Sequence, residues 1–351
     1  MQLFSRQKPL VGLDIGSSSV KAVELRKSKG GYELVHAGLE PLASDTVVDG
    51  AIMDALSVSD SITKIFSQKK IKTRSVATSV SGHSVIVKKI SLPAMSEEEL
   101  EESIQWEAEQ HIPFDIADVN LDYQVLDTQG SGATTDVLLV AVKKDKILNH
   151  TNVITQAGKV PVVVDIDAFA VQNAFEASYH PAPNATIALL NIGASIMNIV
   201  VTKGGTPLFS RDVSVGGNQF TDALQKEMNL SFEEAEEVKK GKSIEGVQRE
   251  NVDLMIESVS EVLLLEIQKT FDFFRATTVG EQLQRVYLSG GCAKVVGFVE
   301  MVQNRLNVPV EVLDPFKGIA VGKGIDLGYL DDISPSMAVA VGLALRSFVQ
   351  S

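Results

Sequence analysis

The stretch that decides the fold is Leu13-Asp14-Ile15-Gly16-Ser17-Ser18-Ser19-Val20-Lys21, and a similar stretch follows in the second half of the chain as Leu190-Asn191-Ile192-Gly193-Ala194-Ser195-Ile196-Met197. The two lie 177 positions apart (191 minus 14), about half of the 351 residues. Apolar runs flank both, so each predicts a strand, a tight turn and a second strand. Glycine at the turn lets backbone N–H groups approach an oxyanion closely. Two such hairpins that face each other predict a phosphate clamp between two related domains.

A third stretch extends this pattern. It is Val286-Tyr287-Leu288-Ser289-Gly290-Gly291-Cys292-Ala293-Lys294, a predicted strand that ends in a glycine pair, with a helix expected from Val295. This is a common place for a nucleotide to press against the backbone. With the three stretches in this order, the chain resembles the actin-like ATPase superfamily, which also holds sugar kinases, chaperone ATPases and the bacterial division protein FtsA. The resemblance implies an α/β fold with two related domains around a nucleotide cleft.

The composition describes a globular protein of two or three domains, since 44% of its 351 residues are hydrophobic. The net charge of −13 argues against nucleic acid, whose phosphates need a basic surface. The single cysteine, Cys292, excludes an intrachain disulfide and is expected to be a small buried residue rather than a reactive thiol. The sequence holds no apolar run of about eighteen residues and no signal-peptide pattern. We therefore expect a cytoplasmic protein that reaches a membrane only through a partner.

The segment after residue 95 predicts an acidic helix with a defined start, because Ser96 and Glu99 form a capping-box pattern. Apolar residues recur every four positions, at 100, 104, 108 and 112, and form one stripe. Trp106 falls on the acidic side, where it either packs against a neighbouring strand or faces a partner. Ile112-Pro113-Phe114 ends the helix, and a hairpin tip is expected at residues 130–134.

Within the superfamily, the chain is similar to the type IV pilus assembly protein PilM family over nearly its whole length. The motif that carries this resemblance runs from Glu97 to Tyr123, with Ile104, Glu107, Ile112-Pro113-Phe114 and Leu121-Asp122-Tyr123 in the family's order. Two further stretches are also similar to the family: Val164-Asp165-Ile166-Asp167-Ala168-Phe169-Ala170 and Asp314-Pro315-Phe316.

The resemblance also implies the domain organisation. The PilM and FtsA families replace one actin subdomain by an insertion in the first domain, and here an α+β (SHS2-like) subdomain 1C is expected at residues 84–158. The core of domain I would then comprise residues 1–83, 159–180 and 334–351, and domain II residues 181–333. FtsA usually ends in an amphipathic membrane helix after a linker, whereas this sequence stops at Ser351 after a small-residue helix. This difference disfavours FtsA.

Members of the PilM family are cytoplasmic components of the pilus machine, so the resemblance implies the same role here. Such proteins bind ATP between their domains and capture the short cytoplasmic N-terminal segment of the inner-membrane protein PilN near the inserted subdomain. They also sit near the motor ATPases and the platform protein, and a homo-oligomeric ring is a further expectation. The residues expected at the partner site are Trp106, Ile112, Pro113 and Phe114.

The first hairpin is expected to hold the nucleotide phosphates and the metal. Asp14 would bind Mg²⁺ through water, because hard cations prefer carboxylate oxygen and keep their waters. Backbone and hydroxyl donors to the β- and γ-phosphates would come from Gly16, Ser17 and Ser18. Lys21 would supply a point charge to them, although a solvated lysine at the end of a strand is the alternative.

The second domain is expected to complete the nucleotide site. Gly193 and Ser195 would face the phosphates from that side. Glu236 and Lys239 match the adenosine-contacting Glu and Lys of the superfamily, and an i, i+3 surface ion pair explains them about equally well. Gly290 and Gly291 would let the adenine side approach the backbone.

The second hairpin departs from the superfamily at Asn191, where active members commonly carry Asp. An amide cannot provide the negative charge that helps to hold Mg²⁺ or to orient the attacking water. Two other acids remain as candidates: Asp165 as a metal ligand, and Asp167 at the catalytic position. Asp167 aligns best with the position where hydrolysing relatives carry an acid. We therefore expect ATP binding with slow hydrolysis, so that the protein is at most a weak ATPase.

Two other functions stay open at this point. An FtsA-like cell-division protein would be located at the septum rather than at pilus bases. A sugar or acetate-type kinase on the same fold would need an acidic base beside a polar substrate pocket, and no polar loop of that kind stands out in the sequence.

Overall fold

The computed structural model describes residues 9–126, 134–278 and 280–348. The chain begins with a six-stranded sheet that carries the first hairpin. Its first elements are β1 (Val11–Ile15), β2 (Ser19–Ser28), β3 (Gly31–Pro41), β4 (Val47–Val48), β5 (Ala51–Ile52), α1 (Ala55–Gln68) and β6 (Ser75–Val80). The sequence pattern predicts one helix from about Val48, which is wrong at its start. Asp49 and Gly50 take positive φ values of 47° and 73° and form the turn of the small β4–β5 hairpin, and Asp54 then caps α1.

A small α+β unit follows. It comprises β7 (Val85–Pro93), α2 (Glu97–His111), a 3₁₀ turn (Ile116–Asp118), β8 (Val119–Leu126) and β9 (Thr134–Lys143), with the strand order β7-β9-β8. The predicted capping box of Ser96 and Glu99 opens α2, and the apolar stripe packs on one face of the sheet. The hairpin tip predicted at residues 130–134 lies, apart from Thr134, outside the described residues.

The chain then returns to the first sheet through α3 (Lys144–Gln156), β10 (Val160–Ile166) and α4 (Asp167–Tyr179). Val153 and Ile154 of α3 share a core with α1 and β1. By packing, the small α+β unit therefore ends at Lys143, and α3 belongs to the first domain. We call residues 85–143 the inserted subdomain from here on; the domain boundaries drawn from the resemblance stay a prediction.

The second domain is built around a five-stranded sheet. Its elements are β11 (Thr186–Ile192), β12 (Met197–Lys203), β13 (Thr206–Val213), α5 (Asn218–Met228), α6 (Phe232–Lys239), α7 (Arg249–Thr277), β14 (Arg285–Ser289), a 3₁₀ turn (Gly291–Lys294), α8 (Phe298–Leu306) and β15 (Val310–Val312). The helix expected from Val295 begins three residues later, at Phe298, after the 3₁₀ turn and Gly297.

The two sheets share one topology. The first has the order β10-β6-β1-β2-β3 and is extended by β16 (Ala320–Val321), and the second has the order β15-β14-β11-β12-β13. In both, the central strand pairs antiparallel with the strand after it and parallel with the strand on its other side. This repeat confirms the prediction of two related domains with the hairpins at matching positions.

The last elements, α9 (Leu327–Ile333), a 3₁₀ turn (Ser334–Ser336) and α10 (Ala338–Leu345), lie on the first domain. All eight residues of α10 are buried. The helix packs closely on both neighbours, because a Cβ atom on Gly12 would lie 2.0 Å from the Ala340 carbonyl oxygen and one on Gly342 would lie 1.7 Å from that of Ala170. Val339 and Leu343 share a core with α4 and with β11 of the second domain. In the described part of the chain, no helix is long and apolar enough to cross a membrane.

Candidate functional site

The tips of the two hairpins meet between the domains. In the first, the Gly16 N–H donates to the Ser19 carbonyl (3.1 Å); in the second, the Gly193 N–H donates to the Ile196 carbonyl (2.9 Å). The hydroxyl groups of Ser17 and Ser195 are hydrogen-bonded to each other across the cleft. The two glycine turns therefore face each other, as the sequence predicts, and each presents its hydroxyl side chain to the same space.

Three aspartates line this part of the cleft. Asp14 is buried and receives a hydrogen bond from the Lys21 ammonium (2.9 Å). Asp167, the first residue of α4, accepts a hydrogen bond from the Ser79 hydroxyl (2.5 Å). Burial, and next the charge of Asp14, raise the pKa of Asp167 to about 6. The carboxyl groups are thus close enough for the charge of one to disfavour the ionisation of the other.

Asp212, at the end of β13, is the third aspartate, and sequence reasoning missed it. It accepts hydrogen bonds from the Gly82 N–H (2.7 Å) and from the Asn198 side-chain amide (2.8 Å). Burial raises its pKa, and its charge contributes to the raised pKa of Asp167. No local sequence signal marks Asp212, because its pairing with Asn198 across β12 and β13 is visible only once the register of the strands is known.

Asn191 belongs to a row of polar side chains that crosses four strands of the second sheet. The Ser289 hydroxyl donates to the Asn191 side-chain oxygen (3.1 Å), and the Asn191 amide donates to the Asn198 side-chain oxygen (2.9 Å). Asn198 then donates to Asp212. The Asn191 side chain is therefore hydrogen-bonded on both sides. The negative charge of the row belongs to Asp212, at the end of the row on β13.

Glu236 and Lys239 lie together on α6, under the glycine turn of the second hairpin. Lys239 is buried, pairs with Glu236 and donates to the Thr221 hydroxyl (2.9 Å) and to the Gly217 carbonyl (3.4 Å). Although burial alone would raise the pKa of Glu236, the Lys239 ammonium lowers it overall. The Gly217 N–H in turn donates to the Gly193 carbonyl (2.9 Å). The pair is buried rather than a solvated surface pair, and it adjoins the clamp.

The first glycine of the pair after β14 is required by the close approach of two backbones. Gly290 has a φ of 87°, and a Cβ atom there would lie 2.2 Å from the Ile192 carbonyl oxygen. Gly291 is exposed, and a Cβ atom there would meet no atom of the described chain within 4 Å. Cys292 is buried, and burial raises the pKa of its thiol to about 12, so it is a neutral packing residue at physiological pH.

The structure does not bring Asp165 to the three aspartates. Its carboxylate lies 3.5 Å from the Arg346 guanidinium and accepts from the N–H of Ile166 (2.8 Å). Its role as a metal ligand stays a prediction that this placement does not favour. Among residues 9–126, 134–278 and 280–348, no group of three or more His, Cys, Asp or Glu side chains is arranged to hold a metal ion.

The fold places the four residues predicted at the partner site in different environments. The Trp106 side chain is 72% exposed, on the outer surface of α2. Ile112 is buried in the core of the inserted subdomain, and Phe114 packs against the same core with the Lys143 ammonium 4.6 Å from its ring. Pro113 is exposed between them. Of these side chains, Trp106 and Pro113 are therefore the ones that present surface to a partner.

An apolar groove lies on the other face of the inserted sheet. Val85, Val87 and Val140 are partly exposed there and pack towards the same core as Val164 and Phe169 of the first domain. Val85 and Val87 also line a cavity of about 220 Å³, together with Ile166 of the first domain and Asp212 of the second. Beside it, β10 is the end strand of its sheet. Sequence reasoning missed this groove, because its walls come from strands far apart in the chain.

Comparisons with known proteins give the chain a family. A family model described as type IV pilus assembly protein PilM matches residues 12–348. The chain is similar to a solved structure of a PilM-PilN type IV pilus biogenesis complex, with 30% identity over 97% of this chain and 99% of that chain and a TM-score of 0.86.

Two more distant likenesses concern the fold alone. The ethanolamine utilization protein EutJ from Carboxydothermus hydrogenoformans is 18% identical over 96% of this chain and 89% of that chain, with a TM-score of 0.59. MreB5 of Spiroplasma citri bound to ADP is 15% identical over 95% of this chain and 94% of that chain, with a TM-score of 0.51. With the duplicated sheet topology, these likenesses confirm the predicted actin-like fold.

Proposed function

Because the chain belongs to the family of type IV pilus assembly protein PilM, we propose that it is an ATP-binding scaffold of the pilus assembly machine that binds the cytoplasmic N-terminal segment of PilN. The observation that carries this proposal is the likeness to the PilM-PilN complex over 97% of the chain at a TM-score of 0.86. The two alternatives, a division protein and a small-molecule kinase, are not favoured by that likeness. Through PilN, the scaffold would be linked to the inner membrane and to the motor ATPases and platform protein.

The nucleotide would lie between the two hairpins. The donors around that space are the hydroxyl groups of Ser17 and Ser195 and the Lys21 ammonium. They lie beside the turns at Gly16 and Gly193, whose own N–H groups are bonded within the turns. Such donors match the phosphates of ATP, and Glu236 and Lys239 adjoin the same turn on the adenosine side. Gly291 leaves the backbone open to the base.

The donor set also fits Mg²⁺. This cation keeps several waters and is usually held by one or two carboxylates together with substrate phosphates, so it does not need a cluster of three protein ligands. Asp14 would hold it through water, and Asp167 and Asp212 lie close enough to orient those waters. When bound, Mg²⁺ would neutralise phosphate charge in the cleft. Because position 191 carries an amide held by Ser289 and Asn198, we propose that hydrolysis is slow.

The PilN segment would occupy the apolar groove between the inserted subdomain and the first domain. Val87 and Val140, a cross-strand pair, form its floor, and Val160 and Val162 on β10 are 47% and 50% exposed beside it. An end strand offers unpaired backbone groups to an extended peptide, while apolar side chains hold its anchors. Binding energy of about 8 kcal/mol would give micromolar affinity.

A peptide titration tests this proposal. We expect the N-terminal segment of PilN to bind the purified wild-type chain, and Val162→Glu to weaken binding at least about tenfold, because it places a charge beside the groove. Val262→Glu is the matched control, since Val262 is 49% exposed on α7 of the second domain. Trp106→Ala tests the outer surface of α2. Wild-type affinity of Val162→Glu together with loss of binding in Trp106→Ala would move the site to α2, and no binding by the wild type would contradict the proposed function.

Membrane association through PilN has its own test. We expect the purified chain to leave protein-free anionic vesicles unbound at physiological salt, and to bind vesicles that display the PilN segment. Binding to the protein-free vesicles, measured by co-sedimentation, would contradict the indirect route.

A further inference from the structure

A buried lysine of the cleft has no part in the site described so far. Lys146 stands in the first turn of α3 and is only 8% exposed. Its ammonium donates a hydrogen bond to the carbonyl of Gly50, in the turn of the β4–β5 hairpin. Since a carbonyl is a neutral acceptor, the positive charge is not neutralised by that contact.

The Lys146 ammonium lies close to Gly50 and, through it, to Ile196 of the second hairpin. A Cβ atom on Gly50 would lie 2.9 Å from the Lys146 nitrogen and 3.2 Å from the Cδ1 atom of Ile196. Ile196 is the residue whose carbonyl closes the turn of the second hairpin. A Cβ atom on Gly82 would lie 3.2 Å from the same Ile196 atom. The Lys146 side chain therefore ends directly behind the second hairpin, on the side of the first domain.

The charges around Lys146 are those of the three-aspartate site. The carboxylates of Asp167 and Asp212 act on it electrostatically, together with Asp145 beside it in the chain. Within the described residues, however, it forms no salt bridge with them, whereas Lys21 pairs directly with Asp14. Burial lowers its pKa, and the carboxylates oppose this effect. A buried ammonium without an anion in contact is costly, so the cleft holds a cation that an anionic ligand would stabilise.

We propose that Lys146 binds the terminal phosphate of the bound nucleoside triphosphate and so distinguishes ATP from ADP. This inference rests on the proposed nucleotide site. A lysine ammonium is a compact point charge on a flexible stem, which suits a phosphate that is present in one nucleotide state and absent in the other. Ser17 and Ser195 mark where the two hairpins meet, and Lys146 approaches the same space from behind Ile196.

The chain around Lys146 also joins the cleft to the inserted subdomain. Lys143 and Lys144 contact the segment after α2: the Lys143 ammonium lies 4.6 Å from the ring of Phe114, and the Lys144 ammonium donates to the Ala117 carbonyl (2.6 Å). The same residues connect α3 to β9, the central strand of the inserted sheet. Lys146 is therefore only three residues from the end of β9, which belongs to the subdomain that forms one wall of the groove.

Nucleotide affinities of a lysine variant test the proposal. Lys146→Gln should weaken binding of a non-hydrolysable ATP analogue at least about tenfold, because a charge-assisted hydrogen bond is lost, and should change ADP affinity by less than about threefold. Lys146→Arg, which keeps the charge, should retain part of the discrimination. Lys159→Gln is the matched control, because Lys159 follows the other end of α3 and contacts the ring of Phe66. Equal loss for both nucleotides, or no loss, would overturn the assignment.

A second measurement uses the wild type and therefore does not depend on whether the variant folds. An ATP derivative that carries an acyl group on its terminal phosphate should transfer that group to the Lys146 amine and leave as ATP, so that mass spectrometry finds the new amide on Lys146 and not on Lys159. Absence of the amide from Lys146 when this reagent is bound would contradict the proposal. If the wild type bound neither nucleotide, the proposed function itself would fail, so the two failures are distinguishable.

Discussion

At the scale of single residues, the cleft is set apart by where its negative charges lie. Asn191 stands where the resemblance leads us to expect an acid, and it is held by Ser289 and Asn198. Asn191→Asp restores a carboxylate at the clamp, and we expect ATP hydrolysis to rise at least about tenfold, since a positioned base contributes on the order of 10²–10⁴. The wild-type turnover should stay well below the common enzyme range of about 1–1000 per second. Phosphate release by the pure protein measures both, and a brisk wild-type rate would contradict this account.

His150 predicts a pH dependence of stability. Burial, and next the charge of Lys146, lower its pKa to about 4, below the value of about 6.5 for an unfolded histidine. Between these values the unfolded chain binds a proton that the folded chain does not, so the stability contributed by neutral His150 is present above pH 6.5 and is lost as the pH falls. We expect the wild type to lose about 2 kcal/mol more than His150→Gln between pH 7 and pH 5. Urea unfolding at the two pH values measures this, and equal losses would contradict it.

Some of the residue roles could be predicted from the sequence, and others could not. The paired glycine turns and Gly290 could be found because a tight turn or a close backbone approach requires glycine locally. Asp212 and Lys146 could not, because their neighbours belong to strands and loops that are distant in the chain. Phe114 was expected at the partner site, and in the loop after α2 its ring packs partly against the subdomain core.

At the scale of elements, α10 holds the first domain together through small residues. A Cβ atom on Gly342 would lie 1.7 Å from the Ala170 carbonyl oxygen, which is backbone and cannot rotate away. Gly342→Ala must therefore push α10 away from α4, and we expect a destabilisation of about 3 kcal/mol or more. Gly30→Ala is the control, because no atom of the described residues lies within 4 Å of its Cβ position. Thermal unfolding of both variants checks this, and wild-type stability of Gly342→Ala would contradict the packing described.

Element boundaries followed from the sequence where a cap or a turn marked them. The capping box at Ser96 begins α2 as predicted, and a second capping box, of Ser231 and Glu234, begins α6. The start of α1 was misplaced because the Asp49-Gly50 turn, a local hairpin signal, was not recognised. The assignment of α3 to the first domain depends on tertiary packing with α1, which no local pattern contains.

At the scale of the whole molecule, the groove and the clamp share the first domain, so their ligands should be coupled. We expect Mg-ATP to change the affinity for the PilN segment by about 5- to 150-fold, and the peptide to change ATP affinity by the same factor. Titration of each ligand in the presence and absence of the other measures both numbers. Unchanged peptide affinity would end the coupling claim while leaving the groove as a binding site.

The central claim is that the two facing hairpins form a phosphate clamp, and calorimetry of Mg-ATP binding to Gly193→Arg tests it most directly. Gly193 turns the second hairpin, and a Cβ atom there would lie 3.1 Å from the Ile196 carbonyl oxygen, so an arginine side chain crowds the turn beside the proposed phosphate space. Gly30→Arg is the control for a glycine-to-arginine change at an open position. We predict that the wild type and Gly30→Arg bind Mg-ATP alike and that folded Gly193→Arg binds at least about a hundredfold more weakly, a loss of about 2.7 kcal/mol. Equal affinity of folded Gly193→Arg and the wild type would contradict the account.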